Sequence, residues 1–310
     1  MTSSTEDLGD ATLSGNCQAV SFESGGESCA ALHYPGANGA CIVMAAGLAV
    51  SKEPGTDLFA AAFNEAGYSV LAFDFRRLGE SGGNPRQLVR IGDQQADFRA
   101  AIGFARTLPE VDSGRLAIWG FSLSGGHVFA LAAELPALGA AIAVSPLADG
   151  PAASPNALRH TTPAALLRLN ARGLADAVGG LLGRPPLTVP LSGDRGEVAA
   201  LTTPDSRVGP IALNPDGRYP QWRQEVAARS ALRIGFYRPA RRASRIGIPL
   251  LVVAPEEDGV APSKPAIRAA SRARLGEVCR IPGGHYAPLL DQHEAALAAQ
   301  LDFLGANLAR

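Results

Sequence analysis

Residues 115–134 read R-L-A-I-W-G-F-S-L-S-G-G-H-V-F-A-L-A-A-E, and this stretch decides the fold. Its first part, residues 116–119, is a short apolar run of the length typical of a buried strand. Small residues fill most of the turn at 120–126, and the apolar spacing from His127 onward indicates a packed helix. A strand, a turn of small residues and a helix form the context in which a sharp bend can project a serine hydroxyl out of the backbone.

Ser122 is the predicted nucleophile at this bend. A strained turn of this kind tolerates only small residues two positions away on either side, and Gly120 and Ser124 occupy those positions. The motif alone does not decide the matter, because glycine and serine are common in ordinary strand-to-helix turns. A second register would make Ser124 the nucleophile. Ser122 is preferred because it directly follows the strand and Gly120, whereas Ser124 falls inside the first turn of the helix.

Apolar runs of strand length alternate with helical patterns along most of the chain. The alternation predicts the α/β class, with a mostly parallel eight-stranded sheet and helices on both faces. In such sheets, active sites collect beyond the carboxyl ends of the strands. The strands are predicted as a hairpin at 17–22 and 28–34, followed by 40–45, 68–73, 116–119, 140–144, 249–254 and 277–281.

Residues 146–248 interrupt this alternation and contain no run typical of a buried strand. Two leucine-rich patches at 164–182 and 221–236 predict helices. We therefore expect a helical cap inserted after the sixth strand, with residues 1–145 and 249–310 forming the core domain. The apolar residues of the cap are expected mainly to pack it on the core, and some to line an acyl-sized pocket: Leu166, Leu167, Leu174, Val178, Leu181, Trp222 and Phe236.

An acid and a histidine follow Ser122 in the order that a catalytic triad on this fold requires. Asp258 comes after the strand at 249–254, and His285 comes after the strand at 277–281. A serine hydroxyl needs a histidine to accept its proton and a carboxylate to orient that imidazole. Each residue alone is compatible with an ordinary loop position, but all three fall at carboxyl ends of predicted strands. The fallback acids are Glu256, Glu257 and Asp149, and His127 is expected to pack or cap on its helix.

An acyl-transfer site also needs backbone N–H groups that bind the oxyanion. One donor is expected from Leu123, which directly follows the nucleophile. The other is expected from Leu48 in the loop after the strand at 40–45, where Gly47 lets the backbone turn toward the site. Asp74 and Arg76 lie beside this region and are expected to hold their loop.

Composition excludes several functional classes. The net charge is −1, which gives no electrostatic case for binding nucleic acid or an anionic membrane surface. The four cysteines show no metal-ligand spacing, so neither a metal nor an organic cofactor is expected. Residues 1–14 are expected to be a solvated tail without the character of a signal peptide, and no apolar run is long enough for a membrane span. These features predict a cytoplasmic protein.

Five motifs together resemble the α/β-hydrolase superfamily over most of the chain. They are M-A-A-G-L at 44–48, F-D-F-R-R-L-G-E-S at 73–81, W-G-F-S-L-S-G-G at 119–126, D-G-V-A-P at 258–262 and G-G-H-Y at 283–286. The resemblance is greatest to capped esterases, dienelactone-hydrolase-like proteins and thiohydrolases or acyltransferases of bacterial and fungal polyketide metabolism. Two departures stand out. Ala46 replaces a histidine common before the oxyanion glycine, and Ser124 replaces the usual glycine after the nucleophile, so that its hydroxyl is available to His285 or to the substrate.

The sequence therefore predicts a serine hydrolase acting on an ester or thioester of a medium-sized, largely apolar acyl group. The substrate is a small molecule, free or bound to a carrier protein. Three alternatives stay open: an acyltransferase or cyclase, an amidase or aminopeptidase, and a non-catalytic ligand-binding homologue. The oligomeric state is also open, with a homodimer through the cap or the last helix as one option.

Overall fold

A computed structural model describes residues 17–308, so the predicted tail at 1–14 lies outside the described residues. Eight strands form one sheet, because their apolar runs can bury both faces of each central strand. The strands of this sheet are β1 (Gln18–Ser24), β2 (Glu27–Tyr34), β3 (Cys41–Ala45), β4 (Ser69–Phe73), β5 (Leu116–Phe121), β6 (Ala140–Val144), β9 (Pro249–Pro255) and β10 (Leu275–Ile281). A second, two-stranded sheet consists of β7 (Thr188–Pro190) and β8 (Glu225–Ala227).

The order of strands in the sheet is β1-β2-β4-β3-β5-β6-β9-β10. Strand β2 runs antiparallel to both of its neighbours, whereas every other adjacent pair is parallel. The predicted mostly parallel eight-stranded sheet is therefore confirmed. Strand β5 lies at the centre, so the residue that follows it reaches the middle of the carboxyl edge.

Helices cover both faces of the sheet, as the alternating pattern predicts. Helices α1 (Asp57–Glu65) and α9 (His293–Leu308) pack on one face. The opposite face carries α2 (Ile91–Ala105), α3 (Leu123–Ala132) and α8 (Ser263–Ala270). Between the layers, Trp119 is fully buried, and its indole Nε1–H donates to Gln300 Oε1 of α9 at 2.6 Å. This bond satisfies the one polar group of a side chain that contributes much apolar burial.

The segment 146–248 contains four α-helices, two short 3₁₀ helices (Pro215–Gly217 and Pro239–Arg245) and the antiparallel pair of β7 and β8. The α-helices are α4 (Gly150–Arg159), α5 (Pro163–Leu181), α6 (Pro204–Leu213) and α7 (Ala228–Ile234). The prediction of one helix across 221–236 is wrong for its first part, because residues 225–227 form β8. The Ala227 amide at the end of β8 also donates to the Gln87 carbonyl of the core. Strands of three residues are too short to produce a periodic signal. The division into a core domain and a cap domain stays a prediction.

Most of the seven apolar residues singled out in the 146–248 segment do not pack on the core. Trp222 is buried, whereas α5 exposes one stripe of apolar side chains to solvent. The expectation that these residues pack the cap on the core is wrong for five of the seven, because they lie on outward faces: Leu167, Leu174, Val178, Leu181 and Phe236. Across residues 17–308, no helix has both the length and the apolar character needed to cross a membrane.

His127 of α3 is fully buried between two polar partners. Its Nε2 lies 3.0 Å from Gln94 Oε1, and its Nδ1 lies 2.9 Å from the Tyr237 hydroxyl. The Tyr237 oxygen accepts a hydrogen bond from Gln95 Nε2, so its own proton is free for His127 Nδ1. This pattern assigns the neutral Nε2–H tautomer. Burial, with a smaller contribution from Arg99, lowers the pKa of His127 from 6.5 to about 3.

We expect His127 to make the protein less stable in mild acid. Between pH 6.5 and about 3, His127 is protonated in the unfolded chain but neutral in the folded protein. The free energy of unfolding should therefore fall by up to about 1.4 kcal/mol for each pH unit across that window. Urea denaturation at several pH values between 7 and 5 measures this slope. The variant His127→Gln should flatten it, and His160→Gln, at the half-exposed end of α4, is the matched control. An unchanged slope in His127→Gln would contradict the assignment.

Candidate active site

Ser122 occupies a strained bend between β5 and α3. Its φ of 56° and ψ of −113° lie in a region that non-glycine residues rarely adopt, at a cost of about 1–3 kcal/mol. The bend is held by the Ser122 amide, which donates to the Val144 carbonyl at 2.9 Å. A Cβ atom at Gly120 would overlap the carbonyl group of Ser124. The small residue at position 120 is therefore required by close backbone packing.

Ser122, His285 and Asp258 form one continuous hydrogen-bonded chain. The Ser122 Oγ lies 2.9 Å from His285 Nε2, and His285 Nδ1 lies 2.8 Å from Asp258 Oδ2. His285 and Asp258 are buried, whereas Ser122 is half-buried and so accessible to a substrate. The sequence alone predicts that these three residues lie close together, and the fold brings them together at the carboxyl ends of β5, β9 and β10.

Asp258 is fixed by contacts beyond the histidine. Its Oδ1 accepts hydrogen bonds from the amides of Val260 at 3.0 Å and Ala261 at 2.6 Å, which leaves Oδ2 for His285. Burial raises the pKa of Asp258 above its usual value, although the charge and hydrogen bond of His285 act in the opposite direction.

The fallback acids have other positions. Asp149 caps α4 through a hydrogen bond from the Ala152 amide and pairs with Arg238, and Glu256 and Glu257 are exposed. The structure therefore brings only Asp258, of these four acids, onto the imidazole Nδ1.

The loop after β3 lies directly against the nucleophile. A Cβ atom on Gly47 would come within 3.3 Å of Ser122 Cβ and 3.2 Å of the Phe121 ring, so glycine permits this close approach. No hydrogen bond from the Leu48 amide is found within residues 17–308. Leu123 is the first residue of α3, where amide groups have no partner inside the helix. Both amides are therefore available to an oxyanion.

A buried charged network fixes the Gly47–Leu48 loop. Asp74 accepts from the amides of Lys52 at 2.6 Å and Glu80 at 2.9 Å, and the Lys52 Nζ lies 3.3 Å from its Oδ2. Arg76 pairs with the buried Asp97 instead. Asp74 and Arg76 thus hold loops beside the site, as expected from the sequence, and do not reach Ser122.

Ser124 has a different role from the one anticipated. Its side chain is fully buried, and its hydroxyl donates to the Ala46 carbonyl. It therefore does not contact His285, which corrects the expectation that the hydroxyl is available to the histidine or the substrate. The physical reason is that Ser124 lies in the first turn of α3, where its side chain points back toward β3. The bond ties the first turn of α3, next to Ser122, to the loop after β3, which contains the two proposed oxyanion-loop residues Gly47 and Leu48.

Asp205 contacts the loop that carries His285, and the sequence does not predict this contact. This residue, in the first turn of α6, accepts hydrogen bonds through Oδ2 from the amides of Gly259 at 2.9 Å and His285 at 3.2 Å. Burial acts to raise its pKa, but the Thr203 hydroxyl, the two amides and the His285 charge outweigh burial, so the pKa lies below its usual value. A carboxylate from the 146–248 segment thus holds the backbone of the histidine loop. No local pattern marks a partner 80 residues away.

Other parts of the 146–248 segment contact the loop after β3, helix α1 and the residue that follows His285. The Trp222 indole donates to the Ala49 carbonyl at 3.0 Å, one residue beyond Leu48. The Tyr219 hydroxyl donates to Asp57 Oδ2 at 2.5 Å. Near the histidine, Gly209 of α6 packs so closely on the Tyr286 ring that a Cβ atom there would overlap it. Among the described residues, no group of three or more metal-binding side chains occurs.

The sheet topology and the hydrogen-bonded serine, histidine and aspartate place this protein among the α/β hydrolases. A family model described as "Hydrolase_4: Serine aminopeptidase, S33" matches residues 37–291, and the chain belongs to that family. Membership supports hydrolase-type activity, and the chain is related to fungal enzymes of secondary metabolism.

Individual relatives agree with this family. The chain is 39% identical over 290 residues to the quorum-quenching protein AidA of Acinetobacter baumannii (strain MDR-ZJ06), covering 92% of this chain and 93% of that one. It is 28% identical over 222 residues to the thiohydrolase apmlB of Arthrinium phaeospermum, covering 70% of each chain. The crystal structure of the α/β hydrolase GrgF from Penicillium sp. sh18 superposes with a TM-score of 0.78 at 21% identity, covering 94% of this chain and 99% of that one.

Proposed function

We propose that the protein hydrolyses an ester or thioester of a medium-sized, largely apolar acyl group through an acyl-enzyme on Ser122. The observation that carries the proposal is the unbroken chain from Ser122 Oγ through His285 to Asp258, with distances of 2.9 and 2.8 Å. The first distance lies within the range in which a general base can accept the proton of its nucleophile, and the second is that of a hydrogen bond able to orient the imidazole.

The geometry supports a two-step reaction. Ser122 Oγ attacks the carbonyl carbon while its proton passes to His285 Nε2, and Asp258 stabilises the resulting imidazolium. The carbonyl oxygen becomes an oxyanion, for which the amides of Leu48 and Leu123 are the proposed donors. The leaving alcohol or thiol takes the proton from His285, which leaves the acyl group on Ser122. Water then attacks this ester by the same route in reverse and releases the acid.

An apolar acyl group suits the side chains around the reacting atoms. The Phe121 ring centroid lies 5.0 Å from the His285 ring and 5.6 Å from the Tyr286 ring. On the side of the oxyanion loop, Leu48 and Trp222 add apolar surface. Because one relative is named a quorum-quenching protein, we propose that small signalling molecules belong among the compounds to be tested.

An aminopeptidase activity is a weaker candidate despite the name of the family. Recognition of a substrate amine would require an acidic side chain free to face the site. Asp194 pairs with Arg207 at 2.5 Å, and Asp205 is held by backbone amides. Glu197 accepts from the Asp194 amide. Asp194 and Glu197 are therefore engaged, and so is Asp205 through its Oδ2, which favours an ester or thioester over an amine-bearing peptide.

The proposal predicts a covalent adduct on Ser122. The protein should be mixed with one apolar acyl group presented as an oxygen ester and as a thioester, and its intact mass followed with time. We expect an increase by the mass of the acyl group, mapped to the peptide that contains Ser122. The faster donor assigns the chemistry to esters or thioesters.

Other outcomes have defined meanings. A product one water heavier than the acyl fragment indicates hydrolysis, whereas a cyclic product or an acylated alcohol would indicate the acyltransferase or cyclase. An adduct on Ser124 would contradict the assigned nucleophile. If neither donor produced an adduct or turnover, and a serine-directed phosphonate also failed to react, the protein would be a ligand-binding homologue.

A further inference from the structure

Five arginines line a cavity of about 610 Å³ away from the Ser122–His285 pair. One wall is the loop between β4 and α2, and the other is formed by the end of α5, the residues before β7 and the residues around β8. No aspartate or glutamate is among the lining residues of this cavity. We refer to it as the arginine pocket, and its cationic residues are Arg86, Arg90, Arg184, Arg223 and Arg229.

Carboxylates neutralise only part of this charge. Arg223 pairs with Glu225 at 2.6 Å, and Arg229 Nε lies 3.2 Å from Asp176 Oδ2. Arg86 donates to the carbonyl oxygens of Gly79 and Ser81, which carry no net charge. Arg90 and Arg184 are exposed and have no acidic partner within residues 17–308. The pocket therefore carries an excess of positive charge.

Two N–H groups of the Arg229 guanidinium have no hydrogen-bond acceptor. Asp176 already accepts from the amides of Leu187 at 2.8 Å and Arg229 at 2.9 Å, so its carboxylate is engaged with the backbone. The Arg229 Nε and Nη2 atoms are buried without a hydrogen-bond partner despite the nearby Asp176 charge. Buried donors of this kind are costly unless an acceptor reaches them.

Gly180 makes room for this guanidinium. A Cβ atom at position 180 of α5 would overlap Arg229 Nη1, so any other residue there would displace the arginine. Glycine inside a helix costs about 1 kcal/mol relative to alanine. At position 180 this loss of helix stability accompanies a packing arrangement in which Arg229 lies along the wall of the pocket.

Arg86 on one wall feels the like charge of Arg223 on the other. Burial lowers the pKa of Arg86, the charge of Asp74 acts in the opposite direction, and Arg223 makes a smaller contribution that lowers the pKa. An anion between the two walls would relieve this repulsion. It would also lie against the Arg229 guanidinium, which belongs to the wall of the pocket.

We propose that the arginine pocket binds a phosphate-bearing small molecule. Guanidinium groups bind phosphate oxygens bidentately, and a phosphate presents enough acceptors for several of these donors at once. A short segment links the pocket to the candidate active site, because Arg223 in the wall directly follows Trp222, whose indole is bonded to the carbonyl of Ala49 in the loop after β3. The phosphate can therefore belong to the leaving group of a thioester or to a separate phosphorylated ligand.

Calorimetry with inorganic pyrophosphate tests the site without requiring turnover. We expect wild-type protein to bind pyrophosphate, and the double variant R184Q/R223Q to raise its Kd by about tenfold or more. Gly180→Ala should also weaken binding, because it displaces Arg229 without removing a charge. The control variant is Arg241→Gln, an exposed arginine outside the pocket, which should bind like wild type. Absence of pyrophosphate binding, or an equal Kd in R184Q/R223Q, would overturn the proposal.

A kinetic comparison distinguishes the two sources of phosphate, and it rests on the proposed function. The same acyl group is presented as a coenzyme A thioester and as an N-acetylcysteamine thioester, which lacks phosphate. If the leaving group occupies the pocket, KM should be about tenfold lower for the coenzyme A donor, and R184Q/R223Q should remove that advantage. Equal KM values with retained pyrophosphate binding would assign the pocket to a separate phosphorylated ligand. Turnover of neither donor with retained binding would refute the proposed hydrolysis and leave the pocket supported.

Discussion

Replacing Ser122 with alanine is expected to lower kcat by roughly 10⁴- to 10⁶-fold and to abolish the acyl-enzyme adduct. The substitution removes the Oγ atom that lies 2.9 Å from His285 Nε2, and no other described hydroxyl bonds to that nitrogen. Alanine keeps the Cβ atom, so the backbone at φ 56° meets the same steric cost as in wild type. The variant should therefore lose catalytic activity without losing stability, and its thermal unfolding temperature should stay close to that of wild type.

Ser124→Ala is the matched control, because it removes a hydroxyl two residues away in the same turn. Ser124 donates to the Ala46 carbonyl, so its loss should cost about 1 kcal/mol of stability and loosen the oxyanion loop. We expect kcat to fall far less than in Ser122→Ala and the adduct to remain. Both variants are measured with one ester donor under saturating conditions. Retention of more than about a hundredth of wild-type kcat by Ser122→Ala would contradict covalent catalysis by this residue.

The sheet and the proximity of Ser122, Asp258 and His285 could be predicted from sequence because each depends on short, local signals. Strands buried on both faces must be continuous apolar runs, and β3, β5 and β6 are such runs. In a parallel sheet the carboxyl ends of the strands meet at one edge. Residues that follow β5, β9 and β10 therefore approach each other whatever the conformation of the loops, and the three side chains form one hydrogen-bonded chain.

The 146–248 segment was less predictable because apolar pattern and burial do not correspond there. Leu174 and Val178 have the spacing of a buried helix face, yet both are exposed. Sequence periodicity reports that a helix has an apolar face, but it does not report which surface covers that face. The strands β7 and β8 are stabilised by pairing between residues far apart in the chain, and three-residue strands carry no pattern of their own.

Side-chain direction was the other feature that the sequence did not determine. The sequence predicts a Ser124 hydroxyl available to His285 or to the substrate, but the helical turn that begins at Leu123 directs this hydroxyl toward Ala46. No sequence pattern distinguishes Asp205 from other acids, and only the fold brings it to the His285 amide. Contacts of this kind depend on tertiary geometry, so they cannot be read from residue type and spacing.

Asp258→Asn should lower kcat by about 10⁴-fold with little change in stability. The amides of Val260 and Ala261 both donate to Oδ1, so the carboxamide oxygen of asparagine will take that position. Its NH₂ group must then face His285 Nδ1, where the carboxylate Oδ2 accepts in wild type. The imidazole would become an acceptor at Nδ1 and carry its proton on Nε2, directed at Ser122. In that tautomer it cannot accept the serine proton.

Asp205→Asn provides the comparison that separates the two carboxylates near His285. Asp205 binds the backbone amides of Gly259 and His285 and does not touch the imidazole, so an asparagine oxygen can keep both bonds. Only the negative charge is lost, and with it some stabilisation of the imidazolium, so we expect kcat to fall by no more than about tenfold. The measurement is kcat for both variants with one donor at one pH. A loss in Asp205→Asn equal to that in Asp258→Asn would mean that the two acids share the role given to Asp258. A small loss in both would mean that neither orients His285 for proton transfer, since removing the orienting carboxylate must disturb the tautomer.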